Sequence, residues 1–355
     1  MILTHLTLRN FRTYAELDLD LTDGITVISG PNATGKTNLI EAISYLSLAR
    51  SWRSGDDGTL IKEGCEGAYI KASIKEGELS RLIEVEFTAA GRKISVNGKT
   101  IKRLSELSKI TNVLLFSPKD VGLFQAGPGE RRNYLDVSLS KQSLDYFSLI
   151  AQYNKLLKER NAALKEGRKN APLIEVLTSQ MIDAAKNIVL YRSMYVASIN
   201  ELLPEVFEKL TGEKKRCKLV YKPFAKPDDS FPIKAKKIFE EGLESDFQRG
   251  FTGYGPHRED LTFQIEGKDI ADYGSQGENR NAVLALKLIP YYLIESETKK
   301  PLIVLDDVMS ELDEGRVERL IGLLREMGQV FITATKLEIE GASYIDVTKN
   351  KAIRR

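Results

Sequence analysis

Eight residues, Gly30-Pro31-Asn32-Ala33-Thr34-Gly35-Lys36-Thr37, match the spacing G-x-x-x-x-G-K-[ST], a pattern suited to holding phosphate. Gly30 and Gly35 permit a tight turn whose backbone N–H groups point inward. A helix N-terminus directly behind the turn adds a favourable field for an anion. Lys36 would bridge the β- and γ-phosphates of a nucleoside triphosphate such as ATP, the Thr37 hydroxyl would hold Mg²⁺, and Asn38 is counted with the loop. A second constellation lies 270 residues downstream, where apolar Pro301 to Leu305 ends in Asp306-Asp307 and is followed by Ser310-Glu311-Leu312-Asp313. Asp306 suits the metal's coordination shell, and Asp307 suits activation of an attacking water as general base. Between them stands Tyr273-Gly274-Ser275-Gln276-Gly277-Glu278. Ser275 and Glu278 have the spacing of a helix capping box, which is the structural reading. The functional reading is a serine-glycine turn, Ser275, Gln276 and Gly277, offering hydroxyl and backbone N–H groups to a γ-phosphate. Both hold together, because a capped N-terminus is also an anion site.

A glycine turn can match a phosphate loop by chance, so its flanks matter. Ile25 to Ser29 reads as a buried strand and Asn38 to Leu46 as an amphipathic helix, the context that phosphate binding needs. Upstream, Ile2, Leu6 and Leu8, then Leu17, Leu19 and Leu21, mark two strands around Asn10-Phe11-Arg12. Residues 68 to 101 alternate apolar and polar through three strands, and Asn97-Gly98 is a strong hairpin turn. They predict an antiparallel layer. Val113 to Phe116 reads as one more buried strand. From about Gly129 to Leu203 the period changes to three and four, with a polar turn at 165–170, so a helical hairpin ending at Pro204 is expected. The seam is either of coiled-coil type or that of an ordinary bundle. Asn279 to Glu295 is predicted to be a helix that Pro290 kinks.

The chain carries a net charge of +2, which says little about partners, but its distribution is lopsided. Residues 209 to 237 hold ten Lys or Arg against three acids, with Tyr221, Phe224 and Phe231 interleaved. Such a run is either a solvated face or a polyanion surface. Together with Arg131 and Arg132 it is the stretch that a polyanion would be expected to meet. The longest apolar runs fall far short of a bilayer span, and Met1-Ile2-Leu3-Thr4 does not open a signal peptide, so no membrane association and a cytoplasmic location are expected. Two cysteines, Cys65 and Cys217, and two histidines, His5 and His257, provide neither a disulfide framework nor a Cys- or His-rich metal cluster.

The order of phosphate loop, S-x-G helix start, and apolar strand with two acids resembles the ABC-type ATPase head. In such heads the Ser-Gly turn serves the nucleotide of a partner subunit. More narrowly, the chain resembles the RecF family of bacterial recombinational repair ATPases, related to the SMC heads. The resemblance rests on Leu6 to Tyr14, the phosphate loop through Ile43, Phe116 to Asp120, Gly127 to Asp136, Gly255 to Leu261, Gly274 to Gly277 and Leu305 to Asp313. Four departures stand out: Lys119 where an acid is usual, Glu278 where a second Gln is common, Pro290 within a helix, and Ala33-Thr34 where a Gly is frequent. The resemblance implies an α/β fold, an ABC-type (SMC-like) head with mixed sheets and an inserted, mainly helical lobe. Residues 1–115 and 296–355 would form the ATPase lobe, and 116–295 the second. It also implies an ATP-dependent homodimer on DNA (single-stranded, duplex or gapped), action with RecO and RecR, and help in placing RecA on gaps. ATP hydrolysis would be slow and DNA-stimulated, a switch timing release. The competing reading is a DNA-processing ATPase or motor subunit of an ABC-type complex, which would call for a second catalytic site.

Overall fold

Two kinds of strand follow from the hydrophobic patterning, and each builds its own sheet. Ile25–Ser29, Leu302–Leu305 and Val330–Ala334 are buried at every position, as strands covered on both faces must be. Gly67–Glu76 instead buries alternate residues, the pattern of a sheet with one solvated face. The computed structural model describes residues 1–103, 106–107, 110–349 and 351–354. The chain forms two compact units, Met1–Val121 with Val206–Glu213 and Val283–Arg355, and Gly122–Glu205 with Lys214–Ala282.

In the first unit, six strands run antiparallel in the order Tyr14–Asp20, Ile2–Phe11, Gly67–Glu76, Leu79–Thr88, Gly91–Val96, Lys99–Thr100. Asn97 and Gly98 close the last hairpin at φ 48° and 76°, the left-handed pair that a two-residue turn needs. The other sheet is ordered Lys351–Arg354, Ser343–Thr348, Ile25–Ser29, Val330–Ala334, Leu302–Leu305, Val113–Phe116, and is parallel except at the first pair. Helix Lys36–Leu48 shares one core with both sheets: its Leu39, Ile40, Ile43 and Leu46 pack in a cluster that also holds Leu8, Ile70 and Val85 of one sheet and Ile28, Val304 and Phe331 of the other. Strands 330–334, 343–348 and 351–354 and helix Glu314–Arg325 carry no chemical motif, and the sequence placed them in the ATPase lobe without marking them as elements.

The second unit holds helices Pro128–Gln142 and Leu144–Glu166, most of Ala171–Thr211, and Phe231–Arg249. Its small antiparallel sheet is ordered Lys268–Asp269, Asp260–Ile265, Cys217–Lys222. The short helix Ile270–Tyr273 then leads into helix Gln276–Tyr292. Two expectations change here. The long helix does not stop at Pro204 but runs through it to Thr211. Proline forfeits one backbone hydrogen bond, while Leu203, Val206, Phe207 and Leu210 around it are all buried, and that burial outweighs the loss. The unit boundaries also differ from the sequence reading: 116–121, 206–213 and 283–295 fall in the first unit.

Candidate nucleotide site

The phosphate loop leaves strand Ile25–Ser29 and enters helix Lys36–Leu48 through Gly35, at φ 111° in the left-handed region. Gly30 is required for a different reason: a Cβ there would sit 2.2 Å from the backbone carbonyl oxygen of Val347 in the neighbouring strand. Ala33, in the stretch where related loops frequently carry a glycine, holds φ 63°. Lys36 Nζ donates to the carbonyls of Gly30 (2.5 Å) and Pro31 (2.8 Å), so the ammonium lies within the loop it belongs to. Burial pulls its pKa below the usual lysine value, against the pull of Asp307 and Asp306. The Thr34 hydroxyl donates to Pro31 O at 2.9 Å, and the Tyr14 hydroxyl to Gly35 O at 3.1 Å.

Asp306 and Asp307 stand at the C-terminal end of strand Leu302–Leu305, two strands away from the phosphate-loop strand. The Thr37 hydroxyl lies 3.3 Å from Asp306 Oδ1. Thus the two residues expected at the metal meet, although 269 positions separate them. Asp306 is buried, and burial is the main reason its pKa is raised, aided by Asp307 and opposed by hydrogen bonds from Thr333 and Thr37. Asp307 is exposed and adopts φ 50°, a left-handed conformation uncommon outside glycine, asparagine and aspartate.

Thr333, at the end of strand Val330–Ala334, escaped the sequence reading. Its hydroxyl donates to Asp306 Oδ1 at 2.8 Å and accepts the Asp307 N–H at 2.9 Å. One buried hydroxyl therefore orients the first carboxylate and secures the backbone of the second. No local pattern marks it. Glu41 was also missed. It is fully buried, paired with Arg12 at 2.7 Å and Arg53 at 3.0 Å, and hydrogen-bonded by Ser51. A carboxylate on the buried face of an amphipathic helix was the available signal, since such a charge must be paired. Asn38 joins this network: its side chain donates to Thr13 Oγ1 and accepts from Arg53, so the amide is committed to positioning the helix.

Ser275, Gln276 and Gly277 lie in the second unit, at the start of helix Gln276–Tyr292. The capping box is formed: Glu278 N donates to Ser275 Oγ at 3.2 Å, and Ser275 N donates to Glu278 Oε2 at 3.0 Å. These bonds hold the Glu278 pKa below its usual value, with help from Lys215. Ser275 and Gln276 remain exposed. Pro290 falls in the last turn of this helix, which ends at Tyr292 rather than Glu295.

The basic stretch 209–237 is spread over a helix end, a strand and a helix. Many of its cations pair with acids: Lys209 with Glu326, Lys215 with Glu278, Arg216 with Glu266, Lys234 with Asp228, Lys236 with Glu240 and Lys237 with Glu241. Arg131 is buried and bound to Asp260 at 2.7 Å and to the carbonyls of Phe124 and Ala126. It has no reach toward a polyanion. Among the described residues no helix is long and apolar enough to cross a membrane.

A phosphate loop joined to an acidic strand end on a mixed sheet, with an antiparallel layer on the same helix, is the ABC-type ATPase head. The family model for the RecF/RecN/SMC N terminal domain matches residues 2–352. An SMC head domain from Pyrococcus furiosus, bound to the C-terminal domain of ScpA, shares the fold at TM-score 0.61 and 16% identity, over 99% of this chain and 96% of that one. Likeness is much greater within one branch. The DNA replication and repair protein RecF of Clostridium novyi is 35% identical over 348 residues, 98% of this chain and 96% of that protein. A solved structure of the recombination mediator protein RecF with ATP, in the RecFOR pathway, superposes at TM-score 0.91 with 31% identity over 99% of this chain and 97% of that one. The chain belongs to the RecF family of DNA replication and repair proteins.

Proposed function

We propose that this chain is an ATP-switched, DNA-binding clamp of recombinational gap repair, which hydrolyses ATP slowly. The observation that carries the reading is the meeting of Thr37 and Asp306 beside the loop that holds Lys36. A hydroxyl and a carboxylate are hard oxygen donors of the kind Mg²⁺ takes, with waters and phosphate oxygens completing its shell. Thr37 and Asp306 would hold that ion, which neutralises charge on the β- and γ-phosphates. Residues Gly30 to Thr37 would enclose the phosphates with backbone N–H groups. Lys36 would exchange its bonds to the Gly30 and Pro31 carbonyls for phosphate oxygens.

Asp307 would take a proton from the attacking water. Its side chain is one methylene shorter than glutamate, which draws the carboxylate back by about 1.5 Å. Poor positioning of a general base costs on the order of a hundredfold, so turnover is slow. Exposed Ser275 and Gln276 would contact the γ-phosphate bound by a second copy, making dimerisation ATP-dependent. That a RecF relative in the RecFOR pathway was solved with ATP supports ATP as the nucleotide. DNA as partner, action with RecO and RecR, and help in loading RecA follow from family membership. Sedimentation tests the shared site. Ser275→Arg should bind ATP as the parent does and stay monomeric with ATP present. An ATP-dependent dimer of this variant would refute the contribution of Ser275 across the interface.

A further inference from the structure

The second unit has a surface of exposed aromatic rings and cations that the nucleotide-site residues do not use. It is built from the turn 165–170, the end of helix Phe231–Arg249 and the loop that follows. Phe251 and Tyr254 are 37% and 45% exposed. Lys165, Arg168, Lys169, Arg249 and Arg258 are exposed on these same segments. Glu244 offsets Arg168, Asp246 is buried against Arg160, and Glu166 accepts a hydrogen bond from Asn170, so Lys165, Lys169, Arg249 and Arg258 carry the charge of this surface. The pieces are adjacent. A Cβ on Gly250 would lie 3.2 Å from Lys165 Cγ, and the Arg168 guanidinium sits 5.4 Å over the Phe247 ring. Arg258 stands 5.0 Å over the Phe251 ring.

The loop is held rigid from beneath. Fully buried Arg160 donates to Asp246 at 2.8 Å and to the Thr252 hydroxyl at 2.7 Å. Asn161 accepts both the N–H and the hydroxyl of Thr252, and Asp246 accepts the Gly253 N–H. His257 donates from Nε2 to the Thr252 carbonyl at 3.0 Å, which leaves Nδ1 to accept the Tyr153 hydroxyl at 2.9 Å. Gly255, at φ 125°, has no room for a side chain, since a Cβ would meet the Tyr153 hydroxyl at 2.4 Å. The Tyr254 ring lies against Gly242, where a Cβ would come within 2.5 Å of it. A ring held in place on one side and half-open on the other binds at low entropic cost.

We infer that residues 249–258, with the turn 165–170, form a contact for single-stranded DNA, in which an unstacked base lies on Tyr254 or Phe251 while Arg258, Arg249 and Lys165 meet backbone phosphates. Every base has a face that stacks on an aromatic ring, whereas duplex bases are already stacked on each other. The inference rests on the DNA-binding reading above and gives it a place on the molecule. The test uses the full chain with ATP and a short fluorescein-labelled oligothymidylate, read by anisotropy over a salt series, with a blunt duplex as second probe. Tyr254→Ala should weaken single-strand binding about tenfold and leave the duplex unchanged. The double variant Lys165→Ala, Arg249→Ala should lower the slope of log affinity against log salt by about 1.4. ATP affinity and the melting profile should match those of the parent in both. Parental binding with both variants unaffected overturns this surface and leaves the DNA reading standing. Equal loss on single strand and duplex in Tyr254→Ala overturns the stacking role. A parent protein that binds neither probe removes the DNA reading itself.

Discussion

The phosphate loop and the loop around Pro256 are both glycine-containing turns next to charged groups, yet they are held in opposite ways. Gly30 to Thr37 is fixed mainly through its own backbone: two glycines, a helix start, and a lysine bonded to carbonyls of its own loop. Those bonds can be exchanged for phosphate without exposing a buried charge. Residues 252–259 are held by side chains from distant helices. Arg192, 1% exposed, donates to the Tyr146 hydroxyl, the Pro256 carbonyl, Glu259 and Asp136. Glu259, itself buried, also accepts from Tyr221 and from the Phe224 N–H. Opening that network would strand charges in the interior, so it cannot flex on a ligand's cycle. A site that must cycle is built on replaceable backbone contacts, and a platform that must stay put is built on buried ion pairs.

Changes at each loop should therefore fail in different ways. Asp307→Asn should keep ATP binding and reduce hydrolysis by roughly 10²–10⁴-fold, the usual worth of a general base. Asparagine tolerates the left-handed backbone at this position, so single-turnover kinetics isolates the lost carboxylate. Near-normal hydrolysis would assign the base to another group. Arg192→Met should act on stability instead. It leaves Glu259 and Asp136 without their guanidinium and should cost about 3–5 kcal/mol in denaturant unfolding. A loss below about 1 kcal/mol would mean that the network is no more rigid than the phosphate loop.

Thr333→Val lies between the two cases, because it removes a buried hydroxyl that serves the exchangeable site. Hydrolysis or Mg²⁺ requirement should worsen by about 10–100-fold, the range for groups that orient metal ligands, with Thr333→Ser restoring most of it. Unchanged Mg²⁺ dependence in the valine variant would show that Asp306 holds its orientation unaided.

The smallest effects should come from pH. Burial lowers the His257 pKa to about 4, from an ordinary 6.5. The unfolded chain thus takes up the proton first, and the contribution of His257 to stability is complete above about pH 6.5 and is lost as pH falls toward 4. Protonation would fall on Nδ1, which now accepts from Tyr153. In His257→Gln the acid side of the stability profile should flatten across this window. His5 behaves oppositely. Its hydrogen bond to Asp20 raises its pKa, with burial opposing and Asp18 assisting, so its contribution is complete below about pH 6.5 and fades as pH rises through the folded value. Being on a solvated face, it should add only a slight slope, absent in His5→Asn. A steeper acid loss in His5→Asn than in His257→Gln would reverse the assignment.

What could be read from the chain alone was whatever is written in short-range spacing. The phosphate loop, the Asp306-Asp307 strand end, the Ser275–Glu278 cap and the Asn97-Gly98 turn all depend on backbone constraints acting over a few residues, and such constraints select residue types directly. Family likeness extended that reading to the head as a whole. Other features depended on the tertiary structure, because the groups that explain them are far away in sequence. The closeness of the Val347 backbone, which leaves no room for a Cβ at Gly30, and the hold of Thr333 on both aspartates arise from strand order, which local spacing does not encode. The helix passes Pro204 because buried neighbours outweigh one missing hydrogen bond. The basic run 209–237, so prominent in the sequence, meets its acids only once the chain is folded, and Arg131 disappears into a bond with Asp260. Charge along a chain adds up by position, but its surface potential depends on which partners folding brings within a few ångströms.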